Sequence, residues 1–429
     1  MRPLLIPGVS ALLILGIFAF GCNRTNNHSS SQRTDRSPAT QSPLTIQAGN
    51  SPAGVDSREP ELSATADGRI ILSWVEKVGD KRYALRFASR DKDSWSKAST
   101  ISEGENWFVN WADFPSVIAL ADGSLAAHWL VKSASSTYAY DVNIARSKDG
   151  GKTWGKPVVP HTDKTQTEHG FVSLIALPDG RAGAIWLDGR NLKDVKDEGD
   201  EHTPLPVSMT LRYAAIDADG NLSDEMELDE RVCECCQTSA ALTSEGLIAV
   251  YRDRSDKEVR DIYTVSRQQG SWSARRAVHA DNWEISGCPV NGPSVSADGR
   301  RVAVAWYTGA NDSPRVKAAF STDAGATFGE PIQVDDGETL GRVDVLLLPD
   351  GSALVCWLSG NAEGGAIKVR RVQPDGSLGP PAVIAKTDIS RSSGFPRMAL
   401  LGDEVHFAWT EFGKPSYVRT ATANIAASR

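Results

Sequence analysis

One pattern of apolar and polar positions repeats through most of the chain. An alternating apolar strand runs into an Asp-Gly turn, and a second strand leaves the turn and ends on an aromatic residue. It reads Asp67-Gly68 to Trp74, Asp122-Gly123 to Trp129, Asp179-Gly180 to Trp186 and Asp350-Gly351 to Trp357, with the aromatic seven residues beyond the Asp each time. Looser copies run Glu245-Gly246 to Tyr251, Asp298-Gly299 to Trp306 and Gly402-Asp403 to Trp409. Asp-Gly between alternating strands is a hairpin signal, because the turn needs residues that tolerate a left-handed backbone. Successive aromatics lie 51 to 65 residues apart, a period that fits one four-stranded propeller blade. Helical periodicity is nearly absent. The expectation is an all-β propeller of four-stranded blades, seven from the seven hairpins, with a six-bladed ring as the alternative.

A third strand follows the aromatic, as in Tyr83 to Ala88, Val142 to Arg146, Tyr263 to Ser266 and Val316 to Phe320, and a polar turn follows that strand. Two of these turns, S-K-D-G-G-K-T-W at 147–154 and S-T-D-A-G-A-T-F at 321–328, share the form Ser-x-Asp-x-Gly-x-Thr-aromatic. Asp149 is placed to accept backbone N–H groups, Gly151 to take a conformation closed to other residues, and Trp154 to pack beneath the hairpin. These octapeptides resemble the Asp box, or BNR repeat, of the sialidase-type propellers. The resemblance extends from about Leu44 to Ile425; it implies the fold and leaves the activity open. Seven hairpins depart from the six blades of true sialidases. W-F-V-N-W-A-D-F-P, T-E-H-G-F-V-S, R-V-C-E-C-C-Q-T and G-C-P-V-N-G-P look like signatures of an uncharacterised exported bacterial subgroup. The last repeat ends after its third strand, so the segment Leu44 to Ala48 is expected to supply the fourth and close the ring.

Ahead of the repeats, Arg2 precedes an apolar run from Val9 to Phe20 that is too short to span a bilayer and has the proportions of a signal-peptide core. Ala19-Phe20-Gly21-Cys22 resembles a bacterial lipobox, which implies lipidation at Cys22, although Ala19 stands where Leu is usual. An ordinary secretion signal with an unrelated cysteine is the alternative. Residues 23–43 are almost devoid of large apolar side chains and read as a flexible tether. The organisation expected is therefore signal peptide 1–22, tether 23–43 and propeller 44–429, exported and lipid-anchored in the cell envelope, or extracellular. A net charge of −8 without a basic run gives no support for nucleic-acid binding. A monomer is expected.

In such blades the segments leading into each first strand, and the loops between second and third strands, open on one face; the Asp-box turns lie on the other. That site face gathers Arg58, Glu59, Asn110, Asp113, Glu168, His169, Cys233, Cys235, Cys236, Gln237, Cys288, Asn291, Arg342, Asp344 and Arg397 around the mouth of the central channel. Matching loops add Tyr138, Tyr140, Arg190, Arg252 and Tyr307, and the acidic stretch Asp188 to Ser208 is long enough to act as a lid.

Three readings compete. The resemblance implies a sialidase-type glycosidase, which needs an arginine cluster for a carboxylate, a Tyr nucleophile paired with a Glu, and an Asp acid–base. Arg58, Arg342 and Arg397 are the candidate clamp, Asp113 the acid and Glu168 the partner; no Tyr stands in a lead-in segment, so Tyr307 or Tyr138 from a neighbouring loop is the nucleophile, with His169, Arg190, Arg252, Asn291 and Asp344 binding substrate. Ion pairing between blades is the plainer account of the arginines. The second reading follows Cys233, Cys235, Cys236 and Cys288: a soft Cu or Zn site, with His169 as a further ligand, or a disulfide from the cluster to Cys288. The third is a propeller that binds a glycan or another protein without chemistry. Cys356 and His128 lie within strands and read as core.

Overall fold

The computed structural model describes residues 44–91, 94–195 and 207–425. The signal peptide, Cys22, the tether and most of the acidic loop lie outside the described residues. The rest forms seven antiparallel sheets around one axis. Their first strands are Ser57–Ala64, Ser116–Ala119, His169–Ala176, Ser239–Thr243, Ser294–Asp298, Thr339–Leu347 and Arg397–Leu401, for blades one to seven in chain order. Each of these inner strands touches the inner strand of the next blade, and the seventh touches the first. The ring is a seven-bladed β-propeller.

The seven aromatics explain why hairpins became blades. Trp74, Trp129, Trp186, Tyr251, Trp306, Trp357 and Trp409 all stand in second strands and all are buried. Each belongs to a different apolar cluster; six of the clusters mix residues of two consecutive blades, and that of Tyr251 joins blades three and four and runs on to Ala112 and Phe395 at the axis. Trp186 of blade three, for instance, packs with Leu130 and Val142 of blade two. A blade on its own exposes an apolar face, and burial of a large aromatic against its neighbour removes that face from water at about 25 cal/mol per Å².

Closure joins the two ends of the described chain. Gln47–Gly49 pairs antiparallel with Tyr417–Asn424 as the outer strand of blade seven, Ala48 opposite Ala421. The paired part sits slightly later than the expected Leu44 to Ala48, while Leu44 itself enters the cluster between blades six and seven. Two blades depart from four paired strands. In blade two, an isolated bridge between Ile144 and Val158 stands in for the outer strand. In blade four, a two-residue hairpin strand, Ser271–Trp272, accompanies the outer strand Arg276–His279.

Both Asp boxes make the same hydrogen bonds. Gly151 N donates to Ser147 Oγ at 2.8 Å, and Thr153 gives its N–H and hydroxyl to Asp149 at 2.9 and 2.6 Å. Gly325, Thr327, Ser321 and Asp323 repeat this at 3.0, 2.9 and 2.6 Å. The bonds from Thr153 hold the Asp149 carboxyl down at about 2. Packing goes to the preceding blade: Trp154 meets Phe87 edge-on, and Phe328 joins the cluster of Ile248. A Cβ on Gly151 would lie 2.2 Å from the Phe87 ring, and one on Gly325 2.2 Å from Ile248.

That difference in surroundings separates two glycines of like backbone. Gly151 has φ +87° and no room; Gly123 has φ +79° and open space. Gly123→Ala should cost only the left-handed strain, about 1–2 kcal/mol, whereas Gly151→Ala adds overpacking of about 1–3 kcal/mol more. Denaturant titration of both variants checks this; equal losses would show that the Asp box does not hold blade one.

Candidate functional site

The lead-in segments converge at one end of the axis, as the repeat geometry required, but they fill it. Ala112, Phe171 and Phe395 are buried there together, with Trp111, Phe114, Cys235 and Val290 packed against them. Gln237 ties this plug laterally: its Nε2 donates to Ala112 O at 2.6 Å and its Oε1 accepts Gly292 N at 3.0 Å. The expected ring of polar groups around an open channel mouth is thus replaced by an apolar plug.

A cleft of about 180 Å³ remains at its edge, between blades seven, one and two. It is lined by Arg58, Glu59, Asn110, Trp111, Phe114 and Phe395, with Thr410, Phe412 and Ser416 among the rest. Trp111 and Phe395 lie stacked with centroids 6.1 Å apart, and Phe114 tilts against Phe395 at 5.6 Å. Glu59 Oε2 is buried here without a hydrogen-bond partner. Burial, opposed by Arg58 and helped by Asp113, raises the Glu59 pKa well above the usual range.

The three-arginine clamp does not form. Arg58 lines the cleft, donating to Ser416 Oγ at 3.3 Å. Arg342 is turned inward: its Nη1 reaches Ser390 O, Ser393 Oγ and Gly394 O at 3.0–3.4 Å, and its guanidinium lies over Trp111 at 4.7 Å. Arg397 pairs with Glu61 at 2.9 Å and Asp344 at 4.0 Å and lies over Phe114 at 4.2 Å. Two of the three guanidiniums therefore back the aromatic floor and are not among the lining residues. Their cause is local: each must satisfy buried acceptors that the blade junction has already enclosed.

The predicted nucleophile is displaced too. Tyr307 packs edge-on against Trp283 at 5.5 Å in blade five. The hydroxyl partnered with Glu168 belongs to Tyr140, which donates within 2.8 Å of Glu168 Oε1 and 2.9 Å of Asp113 Oδ2. Tyr140 is fully buried and stacked on Phe108 at 3.9 Å. Burial pushes Asp113 up to about 7 and Glu168 up to about 8, against the hydrogen bonds that favour their charged forms. Asp113 Oδ1 also accepts Phe171 N at 2.7 Å. The three groups form a proton-sharing set around the buried Tyr140 hydroxyl, and Glu59 in the cleft feels the charge of Asp113.

Most proposed substrate binders hold the scaffold. Arg252 gives its donors to the carbonyls of Asn291, Arg260 and Tyr307 at 2.6–3.0 Å. Asn291 Oδ1 accepts Arg342 N at 2.7 Å, and Asp344 accepts Ser294 Oγ and Met398 N at 2.7 and 2.8 Å. Arg190 is engaged with Asp188 at 2.7–2.8 Å. His169 is buried between Asp141, Asp163 and Asp188, with His161 stacked on it at 3.7 Å. His128 is core, bonded to Ser116 Oγ at 2.9 Å, and burial lowers its pKa to about 3. Phe395 and His161 lie in none of the quoted motifs; Tyr140 stands among the site-face loop residues and Trp111 within W-F-V-N-W-A-D-F-P, neither with the role it takes here.

Cys235 and Cys288 form a disulfide with Cα atoms 6.1 Å apart, joining the lead-ins of blades four and five. Cys233 and Cys236 are free, buried and 2.8 Å apart at sulfur. Burial opposes it, but the Cys236 thiol and the Arg260 guanidinium bring Cys233 down to about 7. Cys356 is buried in its strand.

No family model and no curated protein matches the chain. Solved structures do. An ulvan lyase representing a polysaccharide lyase family aligns with TM-score 0.57 and 11% identity, over 90% of this chain and 96% of its own. The polysaccharide lyase Uly1 aligns with TM-score 0.50 and 9% identity, over 88% and 91%. A NanB sialidase from Streptococcus pneumoniae gives TM-score 0.46 and 11% identity, over 90% and 93%. The architecture shared with the two lyases is the propeller fold. Identities of this size carry the architecture and nothing of the chemistry.

The buried carboxyl of Asp113 sets a pH dependence. Its pKa moves from an ordinary 3.8 to about 7 on folding, so the native state keeps a proton that the unfolded chain has released. Stability from this group is full below about pH 4 and is lost as the pH rises to about 7. Asp113→Asn keeps an acceptor for Phe171 N and carries no charge to bury. Melting temperature from about pH 4.5 to 8 should fall in the native protein and run flatter in the variant, which gains on the order of a few kcal/mol relative to it at high pH. Parallel curves would place Asp113 at an ordinary pKa.

Proposed function

We propose that this is an exported, envelope-anchored propeller that binds the end of a glycan in the cleft between blades seven, one and two. The observation that carries the reading is the aromatic floor, Trp111 stacked on Phe395 with Phe114 beside it, next to Arg58 and the unpartnered Glu59 oxygen. Apolar ring faces take the C–H face of a sugar, while a few placed polar groups fix its hydroxyls. The cavity, about 180 Å³, is below the usual ~300–1,000 Å³ of drug-sized sites and suits one terminal residue. The names of the two polysaccharide lyases that share the fold favour a carbohydrate ligand.

A second reading, glycoside cleavage, is favoured by one arrangement. Tyr140 lies between two carboxyls whose pKa values are raised into the neutral range, so one can hold a proton while the other takes one. Its phenol oxygen is enclosed, so cleavage requires the plug to part. Binding needs no such step, and it is the reading we adopt.

Titration calorimetry with sialic acid, uronic-acid oligosaccharides and neutral oligosaccharides tests it. Trp111→Ala and Phe395→Ala should each weaken a bound glycan at least about tenfold. Arg58→Ala should weaken acidic sugars alone, by about 1.5–3 kcal/mol if the guanidinium holds their carboxylate. Absence of binding to every glycan, or binding indifferent to Trp111, would overturn the assignment. Turnover lost in Tyr140→Phe with binding retained would establish cleavage.

A further inference from the structure

The junction of blades two and three holds a cluster that neither binding nor proton sharing uses. We propose that Asp141, His161 and His169 form a binding site for one divalent transition-metal ion of the zinc class. Asp141 lies in the third strand of blade two, Tyr140–Ser147; His169 begins the first strand of blade three; His161 lies in the chain between them.

The unused atoms face one another. Asp141 Oδ1 is 3.7 Å from His161 Nε2 and 3.7 Å from His169 Nδ1, and none of these three buried atoms has a hydrogen-bond partner. The side chains of His161 and His169 are 3% and 0% exposed. Unsatisfied nitrogens at such burial are costly and call for a water or an ion. A separation of 3.7 Å is too long for hydrogen bonds, and it suits two ligand atoms each about 2.0–2.2 Å from a shared ion. Among the described ion pairs, Asp141 has no cation but these two rings.

The opposite edges of both rings face carboxylates, as those of ligand histidines do, and that of His161 is hydrogen-bonded to one. Asp163 Oδ1 meets His161 Nδ1 at 2.9 Å, which turns Nε2 toward Asp141. His169 Nε2 makes no hydrogen bond but faces Asp163 Oδ2 at 3.4 Å and Asp188 Oδ1 at 3.7 Å, while Nδ1 faces Asp141. Carboxylates behind the rings fix the tautomer and raise the basicity of the free nitrogen. Asp188 is itself fixed by Arg190 and Trp186. The buried hydroxyl of Ser133, also unpartnered, adjoins the Asp141 carboxyl, and Asp141, 29% exposed, gives a route from solvent. The rings lie parallel at 3.7 Å, so the ion enters as the stack opens by rotation of the imidazoles about their Cβ–Cγ bonds.

The donor set, two imidazoles and a carboxylate, suits zinc, cobalt, nickel or copper and is distinct from the cysteine cluster. Its placement has a consequence for the other face of the same junction. Tyr140 and Glu168 are bridged across the strands, and Asp141 and His169 are their next residues, pointing to the other side. An ion there cross-links the two strands that carry the Tyr140–Glu168 pair.

Cobalt and zinc titrations of the full chain, stripped of metal, test the site. Cobalt should give visible d–d bands without thiolate charge-transfer absorption, and zinc should raise the melting temperature of the native protein. Asp141→Asn, His161→Gln and His169→Gln should each abolish the cobalt bands, and Asp163→Asn, which lies behind both rings, should weaken binding by about 10–100-fold. Cys233→Ser with Cys236→Ser should leave the bands intact. Absence of bands and of a melting shift in the native protein would overturn the proposal whether or not the variants fold. So would thiolate absorption that disappears with the cysteines, or unchanged binding in both histidine variants.

Discussion

A propeller blade cannot bury its two faces by itself, and everything in this structure follows from that. Seven aromatics close seven junctions, each through a cluster that spans two neighbouring blades and, at Tyr251, reaches on to the axis. The arrangement is stable only when the last junction exists, which is why the short strand Gln47–Gly49 is taken from one end of the described chain to complete the blade built at the other. An open ring would leave an unpaired edge and an exposed apolar face at the same place. The Asp boxes serve the same end locally, since each turn is pinned by its own Ser, Asp and Thr and then pressed onto the neighbouring blade.

The same constraint shapes the site end. Three inner strands begin with a bulge whose residue has a left-handed backbone: Glu59 at φ +55°, Phe171 at +54° and Arg342 at +54°. In each case the N–H of that residue is taken by a side chain of the preceding blade, by Thr410, Asp113 and Asn291 in turn. The strain is thus offset across a junction by a hydrogen bond, once with a hydroxyl, once with a carboxylate and once with an amide. Seen beside its two counterparts, Asp113 holds the scaffold through one oxygen and Tyr140 through the other. A proton-sharing group and a structural cap are here the same residue.

Much of the fold was legible because its signals are local. Asp-Gly turns, a terminal aromatic and the Ser-x-Asp-x-Gly-x-Thr octapeptide are each complete within ten residues, and their period gives the blade count. Proximity in the site was also legible, as the bond between Cys235 and Cys288 shows, because inner strands start side by side. Direction was not. Arg342 and Arg397 stand on the expected face but point into the junction, since buried carbonyls and the Glu61 and Asp344 carboxyls claim their donors. Tyr140 was visible as a loop tyrosine beside the site, yet only the parallel bridge to Glu168 turns it into that residue's partner. His161 lies in a polar connection without periodicity, and nothing along the chain announces that it stacks on His169. The aromatic floor was concealed for the opposite reason: Trp111 and Phe114 stand in the W-F-V-N-W-A-D-F-P stretch and Phe395 in no motif, and only the ring, by bringing blades two and seven together, makes them one surface.

The two sides of the crossing between blades two and three show how a propeller separates functions over a single residue step. Alternation in a strand sends Tyr140 and Glu168 one way and Asp141 and His169 the other. On one side two carboxyls meet one buried phenol hydroxyl; on the other, imidazoles and carboxyls surround atoms with no partner. Both sets are buried polar groups, and both are tolerable only because the neighbouring blade supplies the missing contacts. Whatever shifts this junction therefore shifts both sets together. Glu59 and the cleft lie one electrostatic step beyond, through Asp113. The link between the buried groups and the cleft is accordingly the junction itself, since Asp113, whose charge Glu59 feels, is fixed there by Phe171 N and the Tyr140 hydroxyl.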